Sequence, residues 1–341
     1  MRHYLLPEGG QFYKANLHCH TTVSDGKRTP EEVKALYLKK GYSIVAYTDH
    51  DVFITHNDLT DEKFLALNGF EVEIMNKYGR GKNPGCGRCD ICYIALDKEQ
   101  DMHPLWHREK YLIGHGREYA DQVKFDEELK NYTRSYTTEC VSEMMEIGRE
   151  NRFFTTLNHP TWSLENYTYY SKYHGMHALE IMNGGATSIG FEEYNPRVYD
   201  EMLRTGKKLY CIGADDNHNI YDDDSRYSDS GWAWTMIKAD KLDYETIAKA
   251  LENGNFYASE GPEIYELYVE DGKMHIKCSP ADRITFNCEK RGAGILLAEN
   301  GELLTEATFD IRPDWGYFRL TVRDEKGYRA CTNAYYPEDF M

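Results

Sequence analysis

Five short strand-like segments that carry, or are followed directly by, histidine, aspartate or asparagine constrain the fold of this chain more than any other feature. Apolar runs of about four to eight residues between turn signals are typical of buried strands. Polar side chains that follow such strands collect at one edge of a parallel sheet, where the sites of α/β barrels are built. The segments are residues 16–20 with His18 and His20, 43–47 before Asp49 and His50, 153–157 before His159, 177–182 before Asn183, and 208–213 before Asp216 and His218.

Helical signals alternate with these strands. Thr29 can cap a helix, Pro30 suits its first position, and Glu32 completes a capping box. Alternation of strand and helix is typical of the α/β class. The predicted helices cover residues 29–40, 138–150 and 192–205.

Towards the C-terminus the pattern changes to short alternating runs separated by turn residues. The two runs on either side of Asp271-Gly272 have the signature of a β-hairpin. We therefore predict an α/β catalytic domain over residues 1–261, followed by a small antiparallel β-sandwich domain over residues 262–341.

Charge and cysteine usage narrow the classes of function. The chain has 57 acidic and 40 basic residues, and a net charge of −17 disfavours binding to nucleic acid or to an anionic membrane. No apolar stretch approaches the roughly 18 residues of a membrane span. Nine scattered cysteines and the lack of a signal-peptide pattern favour a reducing cytoplasm. A small-molecule substrate is the expected partner.

The polar residues at the strand ends are of the types that bind divalent metal. His18 and His20 are separated by one residue, so both point to the same side of a strand. Histidine and carboxylate together suit zinc, manganese or iron. Eight such ligands are too many for one ion, so we predict two or three ions, with a carboxylate such as Glu71 as a bridge. The eight ligands are His18, His20, Asp25, His50, Glu71, His159, Asp216 and His218.

The order of these motifs resembles that of the PHP (polymerase and histidinol phosphatase) family. Each motif is short, but six of them follow in the family's order. The resemblance implies a distorted (β/α)7 barrel, here followed by the small antiparallel β-sandwich, and a phosphoesterase that acts on a small phosphate ester. The motifs are His18-Cys19-His20, Ser24-Asp25-Gly26, Thr48-Asp49-His50-Asp51, Asn68-Gly69-Phe70-Glu71, Asn158-His159-Pro160 and Gly213-Ala214-Asp215-Asp216-Asn217-His218.

One position departs from the family pattern. The strand after the Gly-x-Glu motif usually carries a metal-binding histidine, and that position falls on Asp90. We predict that Asp90 binds metal at a second position that is altered, weaker, or selective for manganese or iron. Glu73 is the rival of Glu71 for the bridging role. The predicted groups are His18, His20, Glu71 and Asp216; Glu71, Asp90 and His159; and Asp25, His50 and His218. Asp25 and His218 are also the predicted catalytic residues, for proton transfer to the leaving group.

Two other functions stay open. The C-terminal part resembles the β-domain of two-domain PHP members, whose branch includes carbamate hydrolases, so a hydrolase of carboxylic esters, amides or carbamates is the first alternative. The second alternative is a non-catalytic metal-binding scaffold whose β-domain serves as a binding module. Its only support is that Asp90 stands where the family usually has a metal-binding histidine. No cluster of lysine or arginine accompanies the motifs, which favours a phosphate monoester over a polyphosphate.

Two further clusters have open interpretations. Cys86, Cys89 and Cys92 are spaced Cys-x2-Cys-x2-Cys, which suggests a separate zinc or iron–sulfur site. No fourth ligand follows nearby, so reduced thiols without a metal are the alternative. A cluster of three histidines is interpreted as loop residues near the mouth of the site, with a second zinc site as the less favoured alternative. These are His103, His107 and His115.

Overall fold

The structure, a computed structural model, describes residues 2–75, 87–291 and 294–340. These residues form seventeen β-strands and seven α-helices. The strands are β1 (His3–Tyr4), β2 (Gln11–Asn16), β3 (Ile44–Tyr47), β4 (Leu65–Met75), β5 (Arg88–Ala95), β6 (Phe153–Leu157), β7 (Ala178–Asn183), β8 (Tyr210–Ala214), β9 (Trp234–Ala239), β10 (Phe256–Ser259), β11 (Ile264–Glu270), β12 (Lys273–Ala281), β13 (Arg283–Cys288), β14 (Gly294–Leu297), β15 (Leu304–Asp310), β16 (Phe318–Arg323) and β17 (Arg329–Thr332). The helices are α1 (Pro30–Lys39), α2 (Gly116–Tyr119), α3 (Thr138–Glu150), α4 (Tyr167–Tyr170), α5 (Gly184–Ser188), α6 (Pro196–Leu203) and α7 (Tyr244–Glu252).

Thirteen of the strands form one large sheet, in the order β14-β13-β16-β17-β10-β9-β2-β3-β4-β5-β6-β7-β8. The pairs β2–β3, β3–β4, β6–β7 and β7–β8 are parallel. The predicted α/β fold is therefore confirmed. The set β4, β5 and β6 is antiparallel, which departs from a regular β/α barrel, where all strands run parallel.

The strands at the two ends of the α/β part come together beside the predicted site. The Gly213 amide on β8 donates to the Thr235 hydroxyl on β9 at 3.2 Å, and that hydroxyl donates to the Gly213 carbonyl at 2.9 Å. Beyond the strand ends, the Asp216 amide donates to the His18 carbonyl at 2.9 Å. Within the described residues these contacts are isolated and no ladder joins β8 to β9 or β2, so a closed seven-stranded barrel stays a prediction.

The C-terminal strands pack as two antiparallel layers. A second sheet has the order β1-β11-β12-β15 and faces β13 and β16 of the large sheet across apolar side chains such as Ile276, Phe286 and Leu320. Strands β1, β9 and β17 were not predicted, and β1 pairs His3 with Val269. The β-rich C-terminal region agrees with the prediction, while the exact domain boundary stays a prediction.

The three predicted helices are present as α1, α3 and α6, whereas α2, α4, α5 and α7 were not predicted. In α1 the Thr29 hydroxyl accepts from the Glu32 amide, and the Glu32 carboxylate accepts from the Thr29 amide. Helix α6 is shorter than the predicted range 192–205. Pro196 starts it, and the preceding Glu193 instead accepts hydrogen bonds from backbone amides of another loop. Within the described ranges, no helix combines the length and apolarity that crossing a bilayer requires.

Glu165 gives a pH-dependent contribution to stability outside the site. It accepts hydrogen bonds from the Tyr136 and Tyr173 hydroxyls, both at 2.9 Å, and burial raises its pKa from 4.5 to about 7. The folded state therefore favours the protonated acid, so this stabilisation is complete below pH 4.5 and is lost as the pH rises to about 7. Thermal unfolding measures this effect as the difference in melting temperature between the wild type and Glu165→Gln. We expect the advantage of the wild type to shrink as the pH rises from 4.5 to about 7. The exposed variant Glu128→Gln should show no such trend, and a constant difference for Glu165→Gln would contradict the expectation.

Candidate metal centre

The first two ligands lie just beyond the end of β2. His18 and His20 are both buried, and their Nε2 atoms are 3.1 Å apart, as expected for side chains on one side of an extended segment. The Asn16 amide oxygen accepts from the backbone amides of His18, at 3.4 Å, and Asp215, at 2.9 Å. Asn16 thereby fixes the segment that carries the two imidazoles against the segment that follows β8.

A first group of ligand atoms joins these histidines to two carboxylates. Glu71, on β4, places Oε1 3.1 Å from His18 Nε2 and Oε2 3.2 Å from His20 Nε2. Asp216, just after β8, places Oδ1 3.2 Å and 3.1 Å from the same two nitrogens. Bonds of about 2.0–2.2 Å to a common ion separate neighbouring ligand atoms by roughly 3–3.6 Å. Each carboxylate therefore lies at coordination spacing from both imidazoles.

A second group lies on another side of Glu71. His159 Nε2 is 3.6 Å from each of Glu71 Oε1, Asp90 Oδ2 and Asp216 Oδ2. Asp90 is fully buried on β5, and its Oδ2 also accepts a 2.5 Å hydrogen bond from Arg88 Nε. Because a guanidinium already shares the oxygen that faces the other ligands, this group offers a cation weaker coordination than the first group.

A third group surrounds Asp25 at the more accessible end of the site. The Asp25 carboxylate is 3.5 Å from His218 Nε2 and 3.9 Å from both His20 Nδ1 and His50 Nε2. The Asp25 and His218 side chains are 30% and 26% exposed, whereas the other two are buried. This group therefore combines potential ligands with access to solvent and to a substrate.

Unsatisfied polar atoms indicate that the donor set fits a metal. Within the described residues, His20 Nδ1, His50 Nδ1 and Asp90 Oδ1 are buried without a hydrogen-bond partner. His50 Nδ1 lies 3.2 Å from Glu71 Oε2, but without hydrogen-bond geometry. Buried polar atoms are nearly always satisfied, so unpaired imidazole nitrogen and carboxylate oxygen need a specific explanation. Divalent cations bind both atom types, and the ligand atoms form overlapping groups that could each hold one ion.

Opposite charges keep most carboxylates of the site ionised. Burial opposes ionisation of Glu71 and Asp216, but nearby imidazoles, with His18 foremost, outweigh it and lower the pKa of both acids. Asp90 is the exception, because burial raises its pKa to about 7 despite the Arg88 guanidinium. A further cation beside Asp90 would stabilise its carboxylate form.

The histidines respond to their surroundings in two ways. Burial disfavours the charged forms of His18, His20 and His159, but the neighbouring carboxylates raise the pKa of all three, to about 9 for His159. Burial, together with the charge of His20, lowers the pKa of His50 to about 3. Metals bind neutral imidazole, so occupation of the site is coupled to proton release from the first three histidines.

Glu180, a buried carboxylate that the sequence analysis missed, supports two of the ligands. It lies on β7 with Oε1 3.1 Å from His18 Nδ1, and its Oε2 accepts the His159 amide at 2.8 Å. A carboxylate on the far nitrogen of a ligand histidine fixes the ring orientation and its tautomer. The available signal was a charged residue in the middle of a strand that is otherwise buried and largely apolar.

Three aspartates next to the ligands hold the loops that carry them. Asp49 accepts hydrogen bonds from the backbone and hydroxyls of Thr21 and Ser24. Asp215 accepts from three consecutive backbone amides, those of residues 231–233. Asp51, beside His50, forms a buried ion pair with Arg134.

The cysteine motif does not form a site in the described part of the chain. Cys86 lies outside the described residues. Cys89 and Cys92 are both buried, but their spacing places them on opposite faces of β5. Cys89 packs in the apolar core, whereas Cys92 Sγ accepts from Asn158 Nδ2 at 3.1 Å beside the metal ligands. A metal shared by these two cysteines is therefore not supported.

The remaining candidates also lie apart from the ligand groups. Glu73 Oε2 pairs with Arg88 at 2.8 Å and belongs to none of the ligand groups, whereas Glu71 belongs to two of them. His103 packs against the ring of Phe70, with centroids 4.1 Å apart. The described residues contain no ligand group that includes His103, His107 or His115.

Six of the nine predicted ligands line a cavity of about 460 Å³, and the other three, His18, His20 and Asp90, are buried beside it. Its other walls include Arg88, Trp162 and Ile113. The Arg88 guanidinium lies over the Trp162 ring, 4.4 Å from its centroid, and pairs with Glu73 and Asp90. The cavity thus combines potential metal ligands, one arginine and an aromatic face at a size that suits a small molecule.

Comparison with known proteins finds one curated relative, which matches a short segment. No protein-family model matches the chain. Over 72 residues, or 21% of its length, the chain is 39% identical to the DNA polymerase/3'-5' exonuclease PolX of Bacillus subtilis (strain 168). The match covers 12% of that relative, so the chain spans a small part of its length.

Three solved structures resemble the chain at low sequence identity. A two-domain protein of Bacteroides vulgatus, described as containing a predicted PHP-like metal-dependent phosphoesterase, is 16% identical, with 97% of this chain and 98% of that chain covered and a TM-score of 0.47. A putative metal-dependent phosphoesterase of Bifidobacterium adolescentis is 18% identical, with 62% and 89% covered and a TM-score of 0.38. An amidohydrolase of Chromobacterium violaceum is 15% identical, with 60% and 87% covered and a TM-score of 0.38.

The motif order and the geometry agree with each other. All six motifs, which are spread from His18 to His218, supply side chains to one cavity or to the loops that frame it. Chance similarity of six short motifs would not bring their ligands within coordination distance of one another. The geometry of the described residues therefore agrees with the resemblance to the PHP family that the motif order indicates.

Proposed function

We propose that this chain is a metal-dependent hydrolase and that its substrate is a small phosphate ester. The observation that supports the proposal is the meeting of nine predicted ligand side chains around one cavity. In each of the three groups, the cited distances between an imidazole nitrogen and a carboxylate oxygen are 3.1 to 3.9 Å. A purely structural role does not require five imidazoles and four carboxylates to converge on a solvent-accessible cavity. The nine side chains are His18, His20, Asp25, His50, Glu71, Asp90, His159, Asp216 and His218.

Two or three divalent ions are the proposed cofactors. The first group would hold the most firmly bound ion, and the group around Asp90 would hold a second. The group around Asp25 would either hold a third ion or supply the residue that transfers a proton to the leaving group. Zinc, manganese and iron all accept mixed imidazole and carboxylate ligands. When bound, such ions polarise the oxygen of the substrate and lower the pKa of a water to about 7. We propose a cytoplasmic location on the cysteine content alone.

Asp25 and His218 are the proposed catalytic residues. His218 Nδ1 lies 3.1 Å from the Asp216 carbonyl and can donate to it, which directs Nε2 towards Asp25, 3.5 Å away. Burial opposes ionisation of Asp25, but the hydrogen bond from His218 and the charge of His20 lower its pKa. The orientation of its ring places His218 Nε2 where it can transfer a proton to the departing oxygen.

Replacing His218 by asparagine should affect substrates according to their leaving groups. General acid catalysis contributes typically 10²–10⁴-fold, so we expect a loss of about that size in kcat for alkyl phosphates. Aryl phosphates with acidic phenols, which leave without protonation, should lose much less. The measurement is kcat across a series of leaving groups, with metal content determined on the same samples. Equal losses across the series at wild-type metal content would contradict the role as an acid.

Arg88 is the proposed contact for the single phosphate of the substrate. It is the one lysine or arginine among the described residues that line the cavity. Two acids, Glu73 and Asp90, neutralise most of its charge. One partly neutralised guanidinium suits a monoester better than a polyphosphate, whose extra charges need further cations. The net charge of −17 likewise disfavours a nucleic-acid substrate.

Parallel assays of aryl phosphates and aryl carbamates test the proposed substrate class. Purified protein with Mn²⁺ or Zn²⁺ should hydrolyse the phosphate and leave the carbamate intact. Hydrolysis of the carbamate alone would refute the phosphoesterase and favour the carboxyl chemistry suggested by the β-domain resemblance. Elemental analysis of protein purified without added metal should give two or three ions per chain, and fewer in His20→Ala. Absence of bound metal and of both activities would refute the hydrolase as a whole.

A further inference from the structure

A second cavity, of about 560 Å³, lies between α6 and the outer face of β13, β16 and β17. It shares no lining residue with the metal cavity. Six arginines line it, although the chain as a whole carries a net charge of −17. We name it the arginine cleft. The six are Arg197, Arg204, Arg283, Arg319, Arg323 and Arg329.

Three of these arginines stand in a row across neighbouring strands. Arg283 on β13 is directly opposite Arg323 on β16, which in turn is directly opposite Arg329 on β17. Like charges in directly opposed positions destabilise a sheet. The register cannot slip to separate them, because the alternating residues Ile284 and Val322 are buried in the core on the other face. Carboxylates of the chain pair with Arg323 and Arg329, so within the described residues the repulsion in the row stays uncompensated at Arg283.

Two of the arginines in the cleft lack a carboxylate partner within the described residues. The Nε atom of Arg283 is buried without a hydrogen-bond partner there. Arg204 donates to the Glu289 carbonyl at 3.4 Å and forms no ion pair in the same ranges. Arg204 is exposed, whereas Arg283 is partly buried. Leaving a partly buried guanidinium unpaired is unfavourable, so the Arg283 position would gain from a bound anion. The other four form the pairs Arg197–Glu201, Arg319–Asp200, Arg323–Asp282 and Arg329–Glu260.

We propose that the arginine cleft binds a small phosphorylated molecule with two separate anionic groups. The planar guanidinium matches phosphate in a bidentate manner, and all the cations that line this cleft are arginines. Neighbouring strands are about 4.8 Å apart, so Arg283 and Arg329 stand roughly 10 Å apart at the backbone. That span, together with the concave shape, suits two phosphates on one molecule better than a single phosphate or an extended nucleic acid.

Calorimetric titration of the metal-loaded full chain tests the proposal, with fructose 1,6-bisphosphate as the probe. We expect binding by the wild type and at least tenfold weaker binding by Arg283→Gln. Arg283 has no ion pair to lose, so this variant should fold normally, and Arg204→Gln provides an independent second variant. The matched control is Arg312→Gln, an exposed arginine outside the cleft, which should bind like the wild type. Hydrolysis of an aryl phosphate should be unchanged in all three variants.

The same titration in Glu71→Gln separates the arginine cleft from the metal cavity, because that variant would not turn the probe over. Binding that persists in Glu71→Gln and weakens in Arg283→Gln supports the proposal. Binding that is lost in Glu71→Gln but unchanged in Arg283→Gln would place the molecule in the metal cavity and overturn it. Failure of the wild type to bind, or binding of a single-stranded oligonucleotide in place of the bisphosphate, would overturn it as well.

Discussion

The variant Glu71→Gln should lose metal and at least about 10³-fold in hydrolytic rate, because several kcal/mol of transition-state stabilisation depend on the ions. Glu71 Oε1 is 3.1 Å from His18 Nε2, and Oε2 is 3.2 Å from both His20 Nε2 and His50 Nδ1. Glutamine keeps the shape but removes one of the two negative charges, those of Glu71 and Asp216, that the first two groups share. The measurements are metal content by elemental analysis and kcat/KM on an aryl phosphate.

Glu73→Gln is the matched control for this experiment. Glu73 lies two residues further along the same face of β4 and pairs with Arg88, outside the ligand groups. The same chemical change there should leave the metal content at the wild-type level. Full metal content in Glu71→Gln, with a rate within tenfold of the wild type, would contradict the bridging role of Glu71.

The variant Arg134→Met should lower the free energy of unfolding by about 3–5 kcal/mol, the typical result of breaking a buried ion pair. The Arg134 and Asp51 side chains are 2% and 3% exposed, and the guanidinium holds both carboxylate oxygens. Arg134 also donates to the Glu73 carbonyl at 3.2 Å and lies over the Tyr111 ring. Methionine fills part of the volume but leaves Asp51 buried and unpaired, and urea unfolding monitored by circular dichroism measures the loss.

Two further variants show whether the unpaired charge is the cause. The double variant Asp51→Asn/Arg134→Met removes both charges and should recover part of the lost stability. Lys249→Met breaks the exposed pair with Glu245 and should produce no measurable change. The double variant could instead have a lower free energy of unfolding than Arg134→Met. In that case the unpaired charge of Asp51 is not the source of the lost stability.

The sequence predicted the elements whose signals are local. Helix α3 has its predicted bounds, and α1 starts at the predicted capping box, because capping and periodicity act within a few residues. The strand ends that carry His50, His159 and His218 were found in the same way. The antiparallel arrangement of β4, β5 and β6 was not predicted, since strand direction depends on pairing between distant segments. For the same reason the pairing of the N-terminal β1 with β11 left no local signal.

The sequence alone determined which side chains can bind metal and that they follow strand ends, because residue type and side-chain alternation are properties of short segments. Tertiary structure decided how they combine. The register of β4 and β5 sets Glu73 opposite Asp90 and leaves Glu71 to face the histidines, Glu180 reaches His18 from β7, and β13, β16 and β17 align their arginines. These contacts join residues that are far apart in the chain, and a distance between two side chains exists only once the strands between them have a fixed order and register.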